Sequence, residues 1–533
     1  MSAPSLASFV PVPPGSHFPI QNLPFGVFRS SPGGSARVGV AIGEQVLDLS
    51  VVADAGLLGD VGDVVKDTGC FHQSSLNTFM ALGRPVWQRT RAALQRLLSA
   101  DEPTLRDNKA LRTNALHHQS HVLMELPAVI GDYTDFYASK HHATNVGRLF
   151  RGKGNELPAQ WLYMPIAYHG RSSSVVVSGT PIERPRGQLG LPPSSPSSSF
   201  ASLSPLFGPS QQLDFELEMA VLIGPGNERG ESIPVERALD CCFGMVLCND
   251  WSARDIQRWE YVPLGPFLGK NFATTISPWV VTMDALQPCV CSPPPQQDPV
   301  PLPYLRDPSP RTFDIRLQVF IAPSAPASAA SVPAAETPTT APPNPPVLPP
   351  PTPPCPHALL SPDAVDSSPP ASGEASLSHR LPPVPVCSSN FNHLYWTISQ
   401  QVAHHSINGC PLRPGDLLAS GTISGPSEGS EGCMLERTQG GRLTLELSPD
   451  GCRVSDGSSQ ASDRASGSGA MRRTYLEDGD EVIMTASCQL PCGVTIGFGD
   501  CRGVVLPSGH STTPGSSKQD GVAVQTPRDA SAP

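Results

Sequence analysis

The chain has 533 residues and a net charge of −11. That balance excludes a surface built for nucleic acid or anionic membranes, both of which need concentrated Lys and Arg. Proline, at 62 residues against a usual share of about 5%, is too abundant to sit wholly inside helices and sheets, so part of the length reads as linker. From the N-terminus, the first 28 residues hold no Lys or Arg and no apolar signal-peptide core follows, so secretion is not expected. Residues 36–50 ("ARVGVAIGEQVLDLS") read as strand, and 75–100 as one of few helical stretches. The segment "IGDYTDFYASKHHATNVGRLFRGKG" then crowds Asp132, Tyr133, Asp135, Tyr137, His141, His142, Arg148 and Arg151 together. "MPIAYHG" adds Tyr168 and His169 before a strand-forming run, "SSSVVVSGTPIERP". Residues 189–210 are rich in Pro and Ser and read as an insertion.

"LDFELEMAVLIG" reads as a strand carrying Glu216 and Glu218. Positions i and i+2 of a strand share a face, so two carboxylates point the same way and repel unless something positive lies between them. For E-x-E alone, a half-exposed strand with a polar face is the preferred reading. The apolar strand "FGMVLC" ends in Asn-Asp-Trp, where Asp250 is either a cap of the helix beginning at "DWSARDIQRW" or a ligand. Asp135, Glu216, Glu218 and Asp250 together make an all-oxygen set, suited to Mg²⁺ or Ca²⁺ rather than zinc. Strand "RTFDIRLQVFI" precedes residues 323–386, where 20 of 64 positions are proline; such a stretch is expected to be disordered or polyproline II. A strand end and a helix at about 391–406 follow, then a Ser/Gly-rich insertion at 449–470, strands in "DGDEVIMTASCQ" and "GVTIGFGDCRGVVL", and a low-complexity tail at 508–533. His404 and His405 on the helix, and Trp251, Trp259 and Trp279, read as core or capping residues. The 14 cysteines are irregularly spaced, without a zinc pattern, and read as reduced cytosolic thiols. Many short strands and few helices suggest a mainly β, α+β chain built of sandwiches or rolls.

Five stretches carry a resemblance: "FPIQNLPFGVF" (18–28), "IGDYTDFYASKHHATNVG" (130–147), "YHGRSSSVVVSGTPI" (168–182), "FGMVLCNDWSARDIQRWEYVPLGPFLGKNFATTISPWVV" (243–281) and "HHSINGCPLRPGDLLASGTISGP" (404–426). Across them the chain resembles the fumarylacetoacetase family. The resemblance implies metal-dependent hydrolysis of the carbon–carbon bond of 4-fumarylacetoacetate to fumarate and acetoacetate, the last step of tyrosine and phenylalanine catabolism. It implies a small SH3-like β-barrel over residues 1–123, a mixed β-sandwich roll over 124–507, and a cytoplasmic homodimer. By position, Asp135, Glu216, Glu218 and Asp250 match the family's metal ligands, and Lys270 and Thr274 lie near its magnesium. A protonated Lys has no lone pair, so Lys270 is expected to act through its backbone or from beyond the ligands. His142 matches the general base and Glu436, in "GCMLE", the carboxylate that orients it, while His141 is incidental. Arg254, Gln257 and Lys270 match groups that stabilise the reacting oxygen. Tyr137, Arg151, Tyr168, Gln257, Tyr261 and Thr422 match substrate-binding positions. Two other readings remain: acylpyruvate hydrolysis or keto-acid decarboxylation within the same superfamily, and a non-catalytic scaffold that binds partners through the proline-rich loop. The intact acid–base and ligand set argues against the scaffold.

Overall fold

A computed structural model describes residues 6–190, 205–294, 297–324, 380–456 and 470–509. At the N-terminal end, Phe25–Arg29, Arg37–Ile42 and Gln45–Asp48 form an antiparallel meander, extended by Leu116–His118 on one side and Leu123–Glu125 on the other. The five strands make one antiparallel ladder. Between them lie more helices than the sequence suggests. Leu49–Asp54 is capped by Asp48, which accepts from the Ser50 amide, and Lys109–Ala115 by Asn108, which accepts from the Leu111 amide. The helix expected over 75–100 is two, Asn77–Ala81 and Arg84–Leu98, parted at Gly83. Gly83 has φ +81°, a left-handed conformation that a side chain would strain. The second helix buries Val86, Trp87, Thr90, Ala93, Leu94, Leu97 and Leu98, the 3–4 spacing of an amphipathic face.

The centre of the molecule is an eight-stranded mixed sheet. Its path runs Ala167–Gly170, Tyr133–Phe136, Leu417–Ala419, Leu217–Ile223, Cys242–Asp250, Thr274–Ile276 and Val175–Val177, with Val281–Thr282 beside Cys242–Asp250. Both faces are covered, which is why Leu217–Ile223 and Cys242–Asp250 are apolar without alternation. Leu217, Met219, Val221, Met245 and Leu247 pack into the core of the C-terminal part. Ala220, Leu222, Val246, Cys248, Leu417 and Ala419 pack with N-terminal residues such as Phe25, Phe79 and Trp87. A second sheet orders Val384–Asn390, Arg316–Ala322, Glu481–Gln489, Thr495–Leu506 and Ile182–Glu183.

The expected insertions begin later and end earlier than their composition suggests. Leu206–Pro209 pairs with Arg186–Leu189, Val384–Asn390 is a full sheet strand, and Gly451–Ser455 pairs with Thr444–Ser448. A ladder needs only backbone groups, so the Pro- and Ser-rich margins join it where a partner strand is at hand. The remainder of the insertions (191–204, 325–379 and 457–469) and residues 510–533 lie outside the described residues. The first two insertions leave from hairpins, closed by the pair Leu189 and Leu206 and by a bridge between Ser324 and Arg380. Among the described residues no helix is long and apolar enough to cross a membrane.

Candidate active site and metal centre

Strand register explains how four distant carboxylates meet. Glu218 lies two residues before Ala220, Asp250 two after Cys248, and Asp135 opposite Ala419. Alternate residues of a strand share a face, so all three stand on the face of the central sheet that packs against the N-terminal part, at its end. Glu216, just ahead of its strand, continues the same row. Asp135, Glu216, Glu218 and Asp250 each offer an oxygen within 4.8 Å of the others, and all four are buried. The E-x-E pair is therefore no polar outer face. Nor is Asp250 a helix cap: it ends its strand, and the helix Arg254–Glu260 starts from Ala253 without a side-chain cap.

The cluster is only partly compensated from within. The Lys270 ammonium donates to Glu216 Oε2 and Asp250 Oδ2, and Arg254 Nη1 sits 2.6 Å from Glu216 Oε1. Burial pushes the Glu216 carboxyl up, but Lys270 and Arg254 more than offset this and hold it well below the carboxylate range. Asp135 and Glu218 go the other way, raised well above it by burial and by the neighbouring carboxylates. Asp135 Oδ1 and Glu218 Oε1 are also buried without a hydrogen-bond partner. Orphaned hard oxygens on repelling carboxyls fit a hard divalent cation. Thr274 Oγ1 and Tyr168 OH donate to Asp250 at 3.0 and 2.9 Å, bracing it from two sides. Lys270, with its protons turned onto carboxylates, is placed as a counter-charge and not as a side-chain ligand.

The second constellation stands beside the first. The helix Lys140–Arg151 is capped by Ser139, whose hydroxyl accepts from the His142 amide. His142 is buried and its Nδ1 lies 2.6 Å from Glu436 Oε2. A carboxylate only accepts, so Nδ1 carries the proton and Nε2 is left as the basic nitrogen. Burial raises the Glu436 carboxyl, but the charge of His142 and hydrogen bonds from His142, Asn145 and Cys433 bring it below its ordinary value. A bridge between Glu216 and Cys433 ties the short helix Met434–Arg437, which carries Glu436, to the strand that carries Glu218. The Tyr137 ring stands edge-on to His142, centroids 5.3 Å apart.

Arg254 is buried, donates through Nε to Asp214 Oδ2 at 2.9 Å and through Nη1 to Gln257 Oε1 at 3.2 Å, and keeps Nη2 without a partner. The Gln257 amide nitrogen is thereby turned away from Arg254. Thr422 is buried, against Gly432. Arg151 and Tyr261 stand further out: Arg151 is exposed and donates to the Asn155 and Glu156 carbonyls, and Tyr261 stacks with Phe150. His404 pairs with Tyr304 and His405 with Thr134, away from both constellations. Trp251 and Trp279 are core, while Trp259 is half-buried and donates to Gln188. Asp214 escaped notice in the sequence. It is buried, holds Arg254, and accepts from the Met434 and Leu435 amides. The signal was present, because "LDFELE" places Asp214, Glu216 and Glu218 at successive alternate positions.

Residues 132–506 match the family model for the fumarylacetoacetate (FAA) hydrolase C-terminal region, and residues 21–127 the model for the fumarylacetoacetase N-terminal region. The chain belongs to the fumarylacetoacetase family. It is 47% identical over 503 residues to fumarylacetoacetase of Arabidopsis thaliana, covering 94% of this chain and 99% of that one. The Rattus norvegicus enzyme is 48% identical over 501 residues and the Homo sapiens enzyme 46% over 501, each again covering 94% of this chain and 99% of the relative.

Proposed function

We infer that this chain hydrolyses the carbon–carbon bond of 4-fumarylacetoacetate, releasing fumarate and acetoacetate. The observation that carries this reading is the adjacency of a buried His–Glu pair to a four-carboxylate pocket with unsatisfied oxygens. Asp135, Glu216, Glu218 and Asp250 would hold Ca²⁺ or Mg²⁺, with Thr274 and Lys270 alongside. Such a cation, when bound, supplies Lewis acidity toward the oxygens of a β-diketone. His142 Nε2 takes a proton from the attacking water, and Glu436 holds the ring in the right tautomer and stabilises the imidazolium, as in a hydrolase triad with water for nucleophile. Arg254 Nη2, buried and held by Asp214 before reaction, and the Gln257 amide are donors for the oxyanion that forms. The imidazolium then returns its proton to the departing carbon. Tyr137, Tyr168, Arg151, Tyr261 and Thr422 form the walls and rim that receive the dicarboxylate.

The residue assignments are supported by matching position and by this geometry. The catalytic unit is taken as 124–507 and the N-terminal unit as 1–123. A cytoplasmic homodimer is the assembly we favour. The described cysteines are free thiols, which suits a reducing compartment. Val262, Leu264 and Phe267 are 68, 96 and 66% exposed on one loop, an apolar surface that a second copy would cover. The test is turnover of purified protein on 4-fumarylacetoacetate and on acylpyruvates, before and after chelation, with its mass measured in solution. Preference for an acylpyruvate would assign it to the neighbouring chemistry instead.

A further inference from the structure

Glu436 is held by more than the histidine it serves. Its Oε2 receives His142 Nδ1 at 2.6 Å, Ser424 Oγ at 2.9 Å and Cys433 Sγ at 3.1 Å, and its Oε1 receives Asn145 Nδ2 at 2.9 Å. A carboxylate offers about four acceptor positions; four donors converge on this one, three of them on Oε2. Two of the donors are themselves fixed. Ser424 Oγ accepts the Gly432 amide at 2.9 Å, which takes one of its two lone pairs, while its proton goes to Glu436. Asn145 follows His142 by three residues on the helix Lys140–Arg151, so both project from one face. Ser424 reaches the base as well: its carbonyl accepts from Ser139 Oγ at 3.2 Å, and Ser139 caps the helix through the His142 amide. One residue thus grips both halves of the pair.

We propose that Ser424 and Asn145 are positioning residues for the hydrolysis: they lock the Glu436 carboxylate in the one orientation from which it can align His142. Their side-chain hydrogen bonds are with Glu436 and the Gly432 amide, not with a residue assigned to substrate or cation, so both act through Glu436. A charged acceptor stripped of one donor in a dry interior seeks another, and here that means turning away from Nδ1. The Cys433 thiol, a weak donor, adds to the grip but cannot set it. The proposal rests on the hydrolytic reading of His142 and Glu436.

The test is steady-state kinetics of the full chain with its cation, on 4-fumarylacetoacetate. Ser424→Ala and Asn145→Ala should each lower kcat by about 10-fold or more, with KM within about 2-fold, since only the base is misaligned. Ser424→Thr, which keeps a hydroxyl, should recover most of kcat. Asn145→Asp should be worse than Asn145→Ala, because it sets a second carboxylate against Oε1; a mere packing role would make the isosteric Asp the milder change. In a Glu436→Gln background, Ser424→Ala should cost less than about 2-fold more. Ala favours the helix, so Asn145→Ala folds even if Ser424→Ala does not, and melting curves report both. If Asn145→Ala, Asn145→Asp and Ser424→Ala, where it folds, all leave kcat at the wild-type value while Glu436→Gln is inactive, the grip is wrong and the pair stands. If Glu436→Gln itself turns over normally, the pair is wrong, and the proposal falls with it.

Discussion

His141 and His142 are chain neighbours with opposite surroundings. His142 projects inward to Glu436, whereas His141 is half-buried beside His393, ring centroids 6.4 Å apart. His142→Ala should therefore lower kcat by ~10²–10⁴, the usual worth of a positioned acid–base group, and His141→Ala by less than about 10-fold; equal losses would show that the base is misassigned. At the four-carboxylate cluster, Asp135→Asn and Glu218→Gln should each weaken cation binding by at least about 10-fold in a calorimetric titration, because each removes a charge from the oxygen set. Retained affinity would mean that the cation sits elsewhere. The residue types here were legible: His, paired Glu and strand-end Asp announce acid–base and hard-cation chemistry. What no single residue revealed was which reading of Asp250 applied. That depended on the helix starting from Ala253, three residues later. Asn145 and Ser424 carry no charge, so their part in the site emerges only once Glu436 lies beside them.

At the scale of elements, the turn after strand Leu417–Ala419 is as specific as any ligand. Gly421 has φ +75°, and a Cβ there would stand 2.2 Å from the Phe136 carbonyl oxygen; its amide donates to Glu218 Oε2 at 3.1 Å. Gly421→Ala should cost well over about 1 kcal/mol, since strain and collision act together. It should also displace Glu218, so lowered melting temperature and weakened cation binding should appear in the same variant. A normal melt with normal binding would show that the turn relaxes freely. The long apolar strands were legible because burial on both faces removes the need for alternation. The short N-terminal helices were not: four to seven residues give too few turns for a periodic stripe, and their starts depend on local caps such as Asp48 and Asn108. The barrel expectation came from resemblance and not from any pattern of residues; the strands themselves form a ladder of five.

The molecule as a whole has one sheet for two tenants. Ala220, Leu222, Val246 and Cys248 face the N-terminal part, and their strand neighbours face the C-terminal core. Phe25 and Val280 exchange backbone hydrogen bonds at 3.0 and 2.7 Å across the junction. A chain starting after residue 127 would expose that apolar face, and it should lose near-ultraviolet dichroism and aggregate. The intact chain should melt in a single calorimetric transition; two separated transitions would show that the halves fold independently. Cation at about 100 times its dissociation constant should add about 2.7 kcal/mol of stability, and a chelator should remove it. A melting temperature indifferent to both would exclude the carboxylate pocket as a tight site.

The bridge between Ser324 and Arg380 closes its hairpin like a clasp below whatever lies between. The register of Arg316–Ala322 against Val384–Asn390 is complete before the chain departs, and the two feet stand about 5 Å apart, as paired strands do. The position is therefore a natural splice point. Exchanging residues 325–379 for a short Gly/Ser linker should leave turnover unchanged, and a folded reporter with neighbouring termini should graft there without disturbing the carboxylate pocket. Cargo carried at this hairpin would ride on the enzyme without a say in its chemistry.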